Sequence, residues 1–110
     1  MRALLGAGAA VDQAENDGVT PLYTASYKGH LDVVRALLGA GAAVNQARND
    51  GATPLTMASY EGHLAVVKVL LGKGASVDAK DGDGDTALAN ASAGGHREIV
   101  ELLRAHGATE

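Results

Sequence analysis

The segment DGVTPLYTA, residues 17–25, recurs 33 residues later as DGATPLTMA, residues 50–58, and again as DGDTALANA, residues 83–91. A Gly-His pair keeps the same spacing, and residues 2–14 match residues 35–47 at twelve of thirteen positions. Repetition at a fixed period of about 20–50 residues is typical of solenoids, in which each unit covers the apolar face of its neighbour. The spacing therefore predicts one domain, residues 1–110, built of stacked units.

Each unit carries signals for two short helices. Thr-Pro pairs at 20–21 and 53–54 place a capping hydroxyl before a proline at the first helical position, and Gly29 suits a left-handed helix end. A second helix is predicted over 31–38, where apolar residues recur at helical spacing. Residues 49–51, Asn-Asp-Gly, favour a tight hairpin turn. Such short helices are marginal alone, so their order must come from stacking.

Three sets of residues resemble the ankyrin repeat family. Residues 17–25 and 50–58 are similar to its T-P-L-H-x-A opening, residues 29–34 (GHLDVV) to its middle, and residues 41–45 to its end. The resemblance implies an all-α repeat solenoid of stacked helix-turn-helix units joined by β-hairpin-like loops. It divides the chain into a partial repeat (1–14), two full repeats (15–47 and 48–80) and a C-terminal capping repeat (81–110).

The units depart from this pattern in informative ways. Tyr23, Thr56 and Ala89 stand where the family has its histidine. Arg48 stands where the other units have an acidic residue, Glu15 or Asp81, so we expect the second turn to be less well fixed.

The two ends of the repeat array differ in the sequence. The last outer helix carries charged and polar residues that predict a water-facing end, namely Arg97, Glu98, Glu101, Arg104 and His106. No first helix precedes Arg2, and half a repeat cannot cover its own apolar side. We therefore expect the chain to be a segment of a longer array.

Composition excludes several classes of function. The chain has no cysteine, which removes disulfide and thiolate chemistry, and a net charge of −4 without a basic run, which argues against a nucleic-acid partner. No apolar run approaches the length of a membrane span, and the start has no signal-peptide pattern. We expect an intracellular, cytoplasmic protein that does not bind membranes.

Patterns that suggest metal or nucleotide chemistry have structural interpretations. Histidines 33 residues apart would lie about 10 Å from one another in stacked units, too far to share one zinc ion, so we expect them to hydrogen-bond at the helix–helix turn. Asp81, Asp83 and Asp85 alternate as at the start of a calcium loop, but Thr86 and Ser92 occupy the places that need glycine and glutamate. The glycine pairs lack the strand-to-helix order of a phosphate loop.

The sequence contains no nucleophile paired with a base, and repeated units present similar groups in rows rather than convergent different ones. We therefore expect no enzymatic activity and no metal or cofactor. The family resemblance instead implies a concave groove of loop tips and first helices that binds a partner protein. Its predicted positions are Asn16, Asp17, Val19, Tyr27, Lys28, Asn49, Asp50, Ala52, Tyr60, Glu61, Gly82, Asp83, Asp85, Ala93 and Gly94.

Tyr27 and Tyr60 are the main candidate anchors in this predicted groove, because exposed aromatic rings bury much area at little entropic cost. An alternative is that the two rings only pack on each other along the row. Acidic loop tips beside them favour a partner with basic groups.

Two rival hypotheses remain. The near-identity of the first units favours a structural spacer or stability segment of a longer array, with no ligand of its own. Weak self-association through Leu4, Leu5 and Val11 at the uncapped N-terminal edge is the second.

Overall fold

A computed structural model describes residue 14 and residues 17–108. The described residues form six helices and no strand: α1 (Pro21–Lys28), α2 (Leu31–Gly39), α3 (Pro54–Glu61), α4 (Leu64–Gly72), α5 (Ala87–Ala93) and α6 (Arg97–Ala105). Helix α3 packs between α1 and α5, and α4 contacts both α2 and α6. The helices thus form an inner and an outer row of adjacent pairs, as the repeat predicted. The N-terminal positions expected to self-associate lie outside the described residues.

Each inner helix begins at a buried threonine. The Oγ1 atoms of Thr20, Thr53 and Thr86 accept hydrogen bonds from the backbone N–H three residues later, at 3.1, 3.1 and 3.2 Å. Thr53 and Thr56 form a reciprocal capping box, because the Oγ1 atom of Thr56 accepts a hydrogen bond from the backbone N–H of Thr53 at 2.8 Å. These bonds satisfy backbone donors that the first turn of a helix leaves open. The Thr-Pro signal in the sequence therefore marks the true start of α1 and α3.

The core is a repeated set of leucines and alanines. In every unit a leucine of the inner helix and a leucine of the outer helix are at most 3% exposed: Leu22, Leu55, Leu88, Leu37, Leu70 and Leu103. Alanines at 25, 58 and 91 are equally buried, and their small side chains let neighbouring inner helices approach closely. Stacking thus supplies the apolar burial that a single short helix pair lacks.

The histidines join each unit to the one before it. His63 Nε2 lies 2.9 Å from the carbonyl oxygen of Tyr27, and His96 Nε2 lies 2.9 Å from that of Tyr60. A carbonyl only accepts, so Nε2 carries the proton in both cases. The expectation that the histidines bond at the helix–helix turn is confirmed for His63 and His96, with the acceptor in the preceding unit.

The glycines that end α1 and α3 make room for the histidine of the next unit. A Cβ atom on Gly62 would lie 2.6 Å from the His96 ring, and Gly62 itself has φ of 85°. Gly29 has the same relation to His63. Glycine is therefore needed here twice, for the left-handed helix end and for the close approach of a ring.

The outer surface of α6 is polar. Arg97, Glu98, Glu101 and Arg104 are exposed, as is His106 just after the helix, which agrees with the predicted water-facing end. Among the described helices, none is long and apolar enough to cross a bilayer.

Candidate functional site

The loop tips and inner helices of the second and third units enclose a shallow depression. We call it the Tyr60 groove; its volume is about 520 Å³. Its lining residues are Arg48, Asp50, Ala52, Met57, Tyr60, Asp81, Gly82, Asp83, Asp85, Ala89, Asn90 and Ala93. The loop tips form one wall, and α3 and α5 form the other. Four aspartates and one arginine give this surface a formal charge of −3.

Seven of the predicted positions line the Tyr60 groove: Asp50, Ala52, Tyr60, Gly82, Asp83, Asp85 and Ala93. Ala52 lines the groove but is only 2% exposed, so it offers little surface of its own. The remaining described positions lie outside this groove and are exposed or, for Val19, half-buried: Asp17, Val19, Tyr27, Lys28, Asn49, Glu61 and Gly94. Asn16 is outside the described residues.

Sequence reasoning missed five lining residues, and two kinds of spacing could have found them. Met57 precedes Tyr60 by three residues, as Asn90 precedes Ala93, so each pair shares a helix face. Ala89 precedes Ala93 by four residues and so lies on the same face of α5. The other two missed residues, Arg48 and Asp81, each lie two residues before a loop-tip aspartate.

Tyr27 and Tyr60 are the only large apolar side chains that are strongly exposed in the described part of the chain. Their exposed fractions are 44% and 48%. Each tyrosine lies in the last turn of an inner helix. Its own backbone carbonyl accepts a hydrogen bond from a histidine of the next unit. The rings are thus carried by a fixed backbone while their faces remain open.

The turn at Arg48 is well fixed, contrary to the sequence expectation. Its backbone N–H donates to the carbonyl of Ala52 at 2.8 Å. Its side chain binds Asp50 through two bonds, Nε to Oδ1 at 3.1 Å and Nη2 to Oδ2 at 2.5 Å. Asp50 Oδ1 also accepts from the backbone N–H of Ala52 at 3.0 Å. Asp50 therefore organises this turn, whereas in the third unit the acidic residue at the position equivalent to Arg48, Asp81, does so.

The same arginine lies over a tyrosine of the first unit. The guanidinium carbon of Arg48 is 5.2 Å from the centroid of the Tyr23 ring, within the range of a cation–π contact. Tyr23 is 4% exposed, and burial raises the pKa of its hydroxyl although Arg48 acts to lower it. The hydrogen bond from Arg48 lowers the pKa of Asp50 below its usual value. The guanidinium of Arg48 is thus held between the ring of Tyr23 and the carboxylate of Asp50.

The third turn is organised by Asp81. Its Oδ1 accepts from the backbone N–H groups of Asp83 and Asp85, both at 3.0 Å, and its Oδ2 accepts from Asn90 Nδ2 at 3.1 Å. Partial burial acts to raise the pKa of Asp81, but the hydrogen bonds outweigh it and lower the pKa. Carboxylate oxygens of Asp81, Asp83 and Asp85 lie within 4.8 Å of one another. Because both Asp81 oxygens already hold the turn, its role is that of a loop cap.

No curated protein matches the chain. The family model for ankyrin repeats matches it in three copies, over residues 1–81 and 40–110. The matches together span all 110 residues, and the stacked helix pairs joined by turns are those the family pattern implied. The chain therefore belongs to the ankyrin repeat family.

Proposed function

We propose that this chain is a non-enzymatic module that binds a partner protein through its loop tips and inner helices, with the Tyr60 groove as the main contact. Ankyrin repeats are generally protein–protein interaction modules, and the family is generally non-enzymatic. The observation that carries the proposal is the exposure of Tyr27 and Tyr60, at 44% and 48%, on a backbone fixed by interunit hydrogen bonds. Rigid, exposed aromatic rings are the side chains that most often anchor protein interfaces.

The remaining features of the groove suit a protein rather than a small molecule. The depression is open and shallow, with a lining that is about equally polar and apolar, unlike the enclosed apolar cavities that bury most of a small ligand. A chain lying along the loop tips would contact Tyr60 and the aspartates together. Polar groups at its rim would set orientation more than affinity.

The test is capture of proteins by immobilised wild-type chain and by the double variant Tyr27→Ala/Tyr60→Ala, quantified by mass spectrometry. The matched control is Arg35→Ala/Lys68→Ala, which truncates two exposed side chains on the outer helices. We expect the tyrosine variant, and not the control, to lose a defined set of partners. Circular dichroism must show equal helix content in all three. An unchanged set of captured proteins in the tyrosine variant would refute the proposal.

The alternative is a structural segment with no ligand of its own. It is favoured by the match between residues 2–14 and 35–47 at twelve of thirteen positions, since repeated units selected only for stacking stay alike. This alternative predicts that the wild-type chain captures nothing above the level of an unrelated helical protein.

A further inference from the structure

The two junctions between the described units differ in whether a basic side chain lies on the inner surface. At the junction of the first and second units, Arg48 occupies the inner surface, paired with Asp50 and stacked over Tyr23. An aromatic ring and a carboxylate of this chain thus already hold a guanidinium in the way that proteins commonly hold arginine. This contact shows that the inner surface of the repeat array can hold an arginine between an aromatic ring and a carboxylate.

The junction of the second and third units lacks the equivalent cation. Asp83 is the counterpart of Asp50, one repeat later, but the counterpart of Arg48 is Asp81, a second carboxylate. Arg48 is the only basic residue that lines the Tyr60 groove, and it is bound to Asp50 at 2.5 Å. The exposed carboxylates of Asp83 and Asp85 have no basic partner among the described residues. Three carboxylates within 4.8 Å therefore share a surface without a counter-charge of their own.

An exposed aromatic ring lies in the same groove. Tyr60 lines the groove together with Asp83 and Asp85, and its ring is 48% exposed. Tyr23, which Arg48 covers at the first junction, has Thr56 as its counterpart one repeat later. Tyr60 lies one helical turn further along α3. The groove thus combines an exposed ring with carboxylates that lack a basic partner in the described part of the chain, the two kinds of group that hold Arg48 at the first junction.

We propose that the Tyr60 groove binds an arginine side chain on an extended segment of the partner protein, with the guanidinium between the carboxylates of Asp83 and Asp85 and packed on Tyr60. The inference rests on the proposed function and adds the chemistry of the partner. A planar guanidinium fits better than an ammonium, because it stacks on a ring while donating to two carboxylates. The partner's arginine would be held by a ring and by carboxylates, as Arg48 is held by Tyr23 and Asp50, but from a different turn of the inner helix.

The test uses a random linear peptide library panned against the full chain in buffer with EDTA. Peptides that bind are resynthesised with each arginine replaced by citrulline, which keeps the shape and removes the charge. We expect arginine in the selected peptides and a loss of affinity of roughly tenfold or more on citrulline replacement, as for close charge pairs at interfaces. The variants Asp83→Asn/Asp85→Asn and Tyr60→Ala should weaken binding similarly.

The matched control is Asp32→Asn/Glu101→Gln, which changes net charge equally on exposed outer-helix positions. Affinity within about twofold of wild type is expected for this control at physiological salt, where distant charges are screened. An equal loss in the control would overturn the proposed site, because only long-range attraction would then be at work.

The other outcomes separate this inference from the proposed function. Peptides without arginine that lose binding in Tyr60→Ala but not in Asp83→Asn/Asp85→Asn would overturn the arginine site and leave groove binding intact. Failure to select any peptide would count against both. Saturable binding of calcium chloride alone, with displacement of the peptides, would overturn the proposal in favour of a metal site at the loop.

Discussion

Truncation of Leu37 to alanine is the sharpest test of the stacking argument. Leu37 is 0% exposed in α2, whereas its neighbour Leu38 is half-buried. The change removes three carbons, worth about 2.4 kcal/mol at roughly 0.8 kcal/mol for each. An unfilled cavity of about 50 Å³ adds about 1.2 kcal/mol at ~24 cal/mol for each Å³. We expect Leu37→Ala to lower the free energy of unfolding by about 3–4 kcal/mol, and Leu70→Ala by a similar amount.

The assay is urea unfolding followed by circular dichroism at equilibrium. For a protein of this size the dependence of the unfolding free energy on urea is about 2 kcal/mol per molar, so the midpoint should fall by about 1.8 M. The total stability of such a domain is about 5–15 kcal/mol, so a large part would be lost. A decrease in the slope itself would show that the first unit unfolds before the others.

Leu38→Ala is the matched control, since it removes the same atoms from the same helix. We expect it to cost about 1–2 kcal/mol, because its side chain is already partly in water. Equal costs for the two variants, or a cost below about 1 kcal/mol for Leu37→Ala, would mean that the assignment of the buried face is wrong.

Three other variants test single features of the fold by the same urea assay. Ser59→Ala should leave stability unchanged or raise it by up to about 1 kcal/mol, because the Ser59 hydroxyl is buried without a hydrogen-bond partner, while Ser92→Ala changes an exposed equivalent. Gly62→Ala should lower the free energy of unfolding by more than Gly74→Ala does. Both glycines have positive φ, which destabilises an alanine by about 1–2 kcal/mol, but only at Gly62 would the new Cβ meet the His96 ring, at 2.6 Å. Asp81→Ala should be destabilising at pH 7 and progressively less so below the ordinary carboxyl pKa of 3.8, because a lowered pKa stabilises the fold only while the group stays ionised.

Each of these variants has an outcome that contradicts its reasoning. A clear loss of stability in Ser59→Ala would mean that the hydroxyl has a partner. Equal costs at Gly62 and Gly74 would mean that the histidine ring moves aside freely. A constant cost of Asp81→Ala from pH 7 to pH 3 would show that the carboxylate charge does not hold the turn.

The sequence predicted the helices and their packing well, because both depend on local and repeated signals. Thr20 and Thr53 marked helix starts, and Gly29 and Gly62 marked helix ends, since capping involves residues only a few positions apart. The role of His63 also followed from the period. Its acceptor, the carbonyl of Tyr27, did not, because that bond depends on how two units sit against each other.

The groove was predicted less completely, for a physical reason. The family pattern identifies which positions face inward, but the depth of the groove depends on side chains that compete for the same space. Ala52 is buried, and Arg48 lies between Tyr23 of α1 and Asp50 of its own turn. The contact of Arg48 with Tyr23 joins a loop to a helix of the preceding unit, which a one-dimensional pattern does not contain.

The histidine bridge has a consequence for how such a chain changes in length. Each junction uses a donor on one unit and an acceptor on the unit before, at the same relative positions. A duplicate of residues 48–80 inserted after Lys80 would bring its own histidine to the carbonyl of Tyr60 and offer a new carbonyl to His96. Growth by whole units therefore requires no new interface to evolve.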